Sequence, residues 1–311
     1  MTASQPPTGR LRRAWQAWVA VWDHREDAAA LALVRIAVGL VLLYDLTAIA
    51  RLDLVDVLFT AAPGGYAVAA DRLGLGGPTW WLVATLAAGA IATGTLTRVA
   101  CVAFVVASAQ LAHLAPASDR GIDTILRVVV GILALSQSHA RWSVDAVVRR
   151  RLGRPLAIEV PAWPRYLLLL QLLWIYVSGG LNKGGASWGP LGGFTALANV
   201  LADPHVARFE PGWLATALPL TQVATAFTML FELGAPLYLI AYYFAATRER
   251  AGRLRRVVNR LRLRWAWIAL GLAFQLGIAI GMRLGIFPWG LLALYPVLLL
   301  PGELARLRGR R

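Results

Sequence analysis

One position in this chain can supply a neutral amine. Lys183 is the single lysine among 31 basic residues, and the rest are arginines, which stay protonated at any physiological pH. A lysine stripped of water gives up its proton more readily and can then serve as a general base. Trp188, five residues on, lies near a span end, where interfacial belts place aromatics whatever the chemistry. Arg35, Asp45, Asp123, Arg127 and Glu232 are further ionisable residues within apolar stretches. A charge in hydrocarbon costs about 2.5–3.5 kcal/mol on insertion scales, so each needs a partner or a water-filled cavity. Asp123 and Arg127 stand four apart on one helical face, a spacing that suits an ion pair. Arg35 and Glu232 suit a pair across helices, and Asp45 lies near a span end where water can hydrate it. A lysine at a membrane interface also suits plain snorkelling, with its stem in lipid and its charge in water.

The elements that hold these residues are built for lipid. Of 311 residues 58% are hydrophobic and only 15% charged, against about 25% charged in soluble domains. Apolar runs recur over 28–50, 79–96, 98–115, 122–138, 164–182, 214–246, 265–283 and 285–301. The expectation is an all-α, polytopic transmembrane bundle of about eight spans, or nine if 214–246 divides at Pro236. Residues 1–27 read as an interfacial amphipathic helix anchored by Trp15, Trp18 and Trp22, residues 28–301 as the membrane domain, and 302–311 as a basic tail. Arginine crowds into Arg10 to Arg25, Arg141 to Arg165, Arg248 to Arg264 and Arg306 to Arg311, whereas the opposite loops hold only Arg51, Arg72, Arg120, Lys183, Arg208 and Arg283. This is the positive-inside pattern; it puts both termini in the cytoplasm and Lys183 at the outer face. It also explains the net charge of +15 without nucleic acid. One cysteine, Cys101, and four scattered histidines form no ligand cluster, so no metal is expected. The preference for arginine with Ala, Leu, Gly and Val suggests a GC-rich bacterial gene and hence the plasma membrane.

The run Trp174-Ile175-Tyr176-Val177-Ser178-Gly179-Gly180-Leu181-Asn182-Lys183, with Trp188 five residues on, resembles the "YxxAGxxK…W" signature of the vitamin K-dependent γ-glutamyl carboxylases. It also resembles the wider bacterial HTTM (horizontally transferred transmembrane) family that shares their membrane domain. Arg141-Trp142-Ser143-Val144-Asp145 is similar to that family's "R-x-W-S-V-D", the segment around Arg35, Gly39 and Asp45 to its first helix, and Gly285-Ile286-Phe287-Pro288 to its last. The landmarks come in the same order and cover nearly the whole membrane part, but not the extramembrane domain that follows it in the animal enzymes. The resemblance implies that Lys183 is the base that deprotonates a reduced quinone of the vitamin K hydroquinone type. Oxygen then makes a strong base of the quinol anion, and a peptide glutamate loses its γ-proton and takes up carbon dioxide. Two family histidines differ: Asp123 or Thr124 stands at one position and Gln275 at the other, and glutamine can hydrogen-bond but not shuttle a proton near neutrality.

Three functions of different classes fit these residues. The first is a membrane enzyme acting on a quinol or lipid-borne substrate, with Lys183 as base, Tyr176 and Trp188 shaping the pocket and Gln275 or Asp123 orienting a polar group. The second is a non-catalytic membrane protein that helps mature or export a peptide, as the sporulation-delaying-protein maturation proteins are thought to do, with a peptide or a separately encoded soluble partner. The third is a transporter, ranked last because no pair of broken helices marks an inverted repeat.

Overall fold

A computed structural model of the chain describes residues 9–59, 74–155 and 158–304. Residues 60–73 and residues 305–311, which belong to the expected basic tail, lie outside the described residues. The first half consists of α1 (Arg10–Trp22), α2 (Ala29–Arg51), α3 (Val55–Leu58), α4 (Gly77–Thr93), α5 (Thr97–Leu114), α6 (Gly121–Leu135) and α7 (Val144–Arg151). The second consists of α8 (Trp163–Leu181), α9 (Ala196–Ala202), α10 (Leu214–Leu233), α11 (Ala235–Ala246), α12 (Arg253–Arg260), α13 (Leu263–Gly281) and α14 (Phe287–Leu292). One short antiparallel pair, β1 (Arg25–Asp27) with β2 (Glu159–Pro161), joins the two halves.

The all-α reading holds for the bulk of the chain, but the number of spans does not. Among the described residues four helices are long and apolar enough to cross a membrane, not eight or nine: Ala29–Arg51, Thr97–Leu114, Pro211–Leu233 and Leu263–Gly281. The expected spans fail for separate physical reasons. The 79–96 run ends after a 17-residue helix, because Gly94 turns left-handed at φ 71°. The 122–138 run is a helix of 15 residues, about 22 Å long, which is short of about 30 Å of hydrocarbon. α8 has the length but carries Arg165, Gln171 and several aromatics, which dilute its apolar character. The 214–246 stretch breaks at Gly234, and the 285–301 run is a six-residue helix followed by a 3-10 turn over Tyr295–Leu298. Apolar composition alone does not separate a crossing helix from one buried inside the protein. Four long apolar helices make the chain a multi-pass integral membrane protein.

α2 lies at the centre, packed against α4, α6, α8 and the Tyr295–Leu298 turn. Leu31, Val34, Val38 and Leu42 recur at three and four residues and are buried. In lipid, helices associate by close contact rather than by leaving water, and small residues permit it. Gly39 is such a residue, since a Cβ there would lie 2.7 Å from the Ala92 Cα. Arg35, fully buried one turn away, does not pair with Glu232. Its guanidinium donates to the carbonyls of Ile91 (2.6 Å), Ala92 (2.9 Å), Trp142 (2.6 Å) and Ser138 (3.3 Å), and so ties α2 to the ends of α4 and α6.

The Arg141 to Asp145 motif is mechanical in this fold. Ser143 accepts the Ala146 N–H at 2.9 Å and caps α7. Asp145 accepts the N–H groups of Leu96 (2.8 Å) and Thr97 (2.9 Å) and the Thr97 hydroxyl (2.8 Å), and caps α5 from another element. Arg141 pairs with Asp27 at 2.7 Å, and a neighbouring buried pair joins Glu26 to Arg165 at 2.5 Å.

Candidate functional site

The C-terminal end of α8 brings Lys183 to a cavity of about 600 Å³ between α8, α10 and α13. Gly180 makes the meeting of α8 and α10 possible, because a Cβ there would come within 3.1 Å of the Glu232 and Leu233 side chains. α8 ends at Leu181, and the chain then turns so that Lys183 reaches back along its own last turn. The cavity wall is mainly apolar, with Phe227, Phe274 and Leu291 among its residues. Its size falls within the range of about 300–1,000 Å³ usual for small-molecule sites.

The Lys183 amine pairs with the Glu232 carboxylate and donates to the Gly179 carbonyl at 3.4 Å. Its nitrogen also stands 5.1 Å from the centroid of the Trp188 ring. The lysine side chain keeps 21% of its exposure and that of Glu232 only 7%, so the amine is the partner nearer to open space. Movement of one proton along this pair turns two charges into a neutral amine and a carboxylic acid, both tolerable beside an apolar wall. An isolated lysine there would have no such route.

A second polar group lines the same cavity. The Tyr176 hydroxyl lies 2.8 Å from that of Tyr295 and accepts a hydrogen bond from Gln275 Nε2 at 2.9 Å. Gln275 is fully buried, and its Oε1 has no partner among the described residues. The Tyr176 ring is held edge-on against Phe231, with centroids 4.9 Å apart, and Phe231 stacks on Trp267 at 4.7 Å. The site therefore holds an ion pair at the cavity wall and, buried behind that wall, an amide oxygen with no partner among the described residues.

Of the residues singled out by sequence, Lys183, Tyr176, Trp188, Gln275 and Glu232 meet at this cavity. Asn182 does not: it is exposed, and its amide donates to the Ser178 carbonyl at 2.8 Å. Asp123 and Arg127 line a different cavity, of about 400 Å³, together with Asp45. They do not pair with each other. Asp123 binds Arg120 at 2.9 Å, Arg120 also binds Asp45 at 2.5 Å, and Arg127 binds Asp119 at 2.7 Å. Arg35, Trp142, Ser143 and Asp145 serve the helix junction described above, and Pro288 sits in the first turn of α14. Sequence reasoning missed Tyr295 and Phe231. Tyr295 carries a readable sign, as the lone hydroxyl within the apolar run Leu291 to Leu300. No group of three or more His, Cys, Asp or Glu placed to hold a metal occurs among the described residues.

No curated protein and no solved structure matches the chain. Residues 24–301 match the HTTM domain, a stretch that runs from just before β1 to the end of the helical body and contains every wall of the Lys183 cavity. The chain belongs to the HTTM family.

Proposed function

We propose that this HTTM protein is a membrane enzyme that takes a lipid-borne hydroquinone into the cavity between α8, α10 and α13, with the Lys183–Glu232 pair removing a hydroxyl proton at the outer membrane face. The observation that carries this reading is the pairing of the only lysine with a buried carboxylate at the wall of an apolar cavity. The residues fit such a group: aromatic and aliphatic side chains suit a ring, and the amine meets a hydroxyl. Glu232 takes a proton from the Lys183 ammonium, and the amine so freed takes the substrate's hydroxyl proton. Trp188 holds the ammonium form over its ring face once the proton has been accepted. By resemblance to the vitamin K-dependent carboxylases, a bound hydroquinone supplies, with O2, the strong base needed to add CO2 to a peptide glutamate.

The test is protein-dependent, oxygen-consuming turnover of a reduced naphthoquinone in proteoliposomes, measured above the rate of empty vesicles. Lys183→Ala and Lys183→Arg are both expected to lose about 100-fold or more of that rate while the protein still inserts, because guanidinium does not deprotonate. Glu232→Gln is expected to fall with them. Full turnover by Lys183→Arg defeats the base role. If Lys183→Arg retains function together with a co-purifying peptide, the chain is instead the non-catalytic peptide-maturation protein, for which a positive charge is enough.

A further inference from the structure

A separate cavity, of about 310 Å³, lies at the opposite end of α13, between the C-terminal part of α11, α12 and the start of α13. Arg248, Arg262 and Arg264 line it. Arg264 is buried and satisfied, donating to Glu303 and to the Leu298 carbonyl at 2.9 Å. Arg248 and Arg262 are exposed and have no carboxylate partner among the described residues. Three guanidinium groups thus face one small space with a single carboxylate, Glu303, to balance them. Apart from Asn259, whose amide donates to the Phe244 carbonyl at 2.9 Å, the rest of the wall is apolar: Ala241 and Ala245, one helical turn apart on α11, leave a shallow floor that Leu300 extends. Trp265 at the rim is stacked beneath Arg264, at 4.8 Å, in the place an interfacial aromatic takes. α12 beside it is strongly two-faced, with Arg253, Arg256 and Arg260 exposed on one side and Leu254 and Val257 on the other, as suits a helix lying in the headgroup layer.

We infer that this cavity is a binding site for one anionic phospholipid, its phosphodiester held by Arg248 and Arg262 and its acyl chain laid along Ala241, Ala245 and Leu300. Guanidinium forks match phosphate oxygens in geometry as well as charge. A free phosphate ion meets the same arginines but has no use for the alanine floor, which is why the lipid is the ligand assigned. The site is independent of the Lys183 cavity and of any chemistry there.

The test titrates the detergent-purified full chain with dioctanoyl phosphatidylglycerol, dioctanoyl phosphatidylcholine and inorganic phosphate, reading thermal stability and bound adducts by native mass spectrometry. One tightly held phosphatidylglycerol is expected, with phosphatidylcholine weaker and phosphate without effect at equal concentration. Equal stabilisation by inorganic phosphate overturns the proposal in favour of a free-anion site. The double variant Arg248→Gln/Arg262→Gln is expected to bind phosphatidylglycerol roughly 30-fold more weakly, at about a factor of five for each basic residue. The double variant Arg253→Gln/Arg256→Gln removes the same charge from α12 and is expected to stay within about twofold of wild type, since neither side chain lines the cavity. An equal loss in that control means diffuse attraction and no site. Ala245→Leu keeps every arginine and fills the floor, so it is expected to lose the lipid as well; undiminished lipid binding by this variant overturns the acyl placement.

Discussion

Two buried ion pairs in this molecule look alike and are chemically different. In the Arg165–Glu26 pair the guanidinium cannot deprotonate, and another of its nitrogens is taken by the Val297 carbonyl at 3.0 Å, so the pair can only fasten α8 to β1 and the last turn. The Lys183–Glu232 pair has a partner that can become neutral, and it borders a cavity rather than packed backbone. Asp145 shows how a residue in a recognisable motif can be structural instead. Partial burial alone would raise its pKa, but the Thr97 N–H and hydroxyl and the Leu96 N–H more than offset this, and the carboxyl is held below its ordinary value. A folded-state pKa lowered in this way adds stability that is present above the unfolded value and disappears as pH falls through the folded one. Asp145→Asn replaces one of the two accepting oxygens by an amide NH2 and is therefore expected to cost about 1 kcal/mol near pH 7, the usual net worth of a hydrogen bond, and progressively less below about pH 4. Paired thermal melts of wild type and variant across that range check it; a constant difference would mean that the carboxylate charge contributes nothing. At the Lys183 site, residue type was legible in the sequence and partnership was not. Lys183, Tyr176, Gln275 and Glu232 stand out as polar groups in apolar surroundings, but nothing local joins Lys183 to a carboxylate 49 positions away. Arg35 carries the same lesson, because its partners are backbone carbonyls, which every residue possesses.

Helices were legible where they end on a chemical signal and misjudged where the signal was tertiary. The first expected span, 28–50, differs from α2 by one residue at each end, and 98–115 from α5 likewise. The 285–301 run looked like a span because it is apolar, yet Pro288 and Pro296 leave no uninterrupted helix and the segment is a buried plug between α2, α6 and α13. The sequence places a division of 214–246 at Pro236, and the break falls at Gly234, just before a proline that is well placed in the first turn of α11. Contact between α2 and α4 depends on a glycine that no periodicity marks. Gly39→Ala would place its Cβ 2.5 Å from the Ala92 nitrogen, so the two helices must separate, at a cost of about 1–3 kcal/mol. Gly89→Ala on α4 meets nothing within 4 Å and is expected to be neutral or to gain up to about 1 kcal/mol from helix propensity. Thermal unfolding of both variants in the same detergent gives the contrast; equal behaviour would mean that the Gly39 contact is loose.

The sidedness of the protein decides which compartment the Lys183 cavity serves. α13 has 19 residues and is about 28 Å long, which matches about 30 Å of hydrocarbon. Arginine-rich α12 leads into its N-terminal end. At its C-terminal end the Arg208 backbone N–H donates to the Gly281 carbonyl at 3.0 Å and the Arg208 side chain to that of Met282 at 2.9 Å, and both of those residues line the Lys183 cavity. Residues near Glu210 and near Arg256 are thus held at opposite ends of one crossing helix, with the cavity at the Glu210 end. The arginine density of α12 predicts that the Arg256 end faces the cytoplasm. Cys101 is buried, so wild type is expected to stay silent towards a membrane-impermeant maleimide, and single added cysteines report their own side. Glu210→Cys is expected to label in intact cells, whereas Arg256→Cys is expected to label only after permeabilisation. The reverse pattern would turn the cavity towards the cytosol; an amine base could still work there, but a peptide on the outer side could no longer be its substrate.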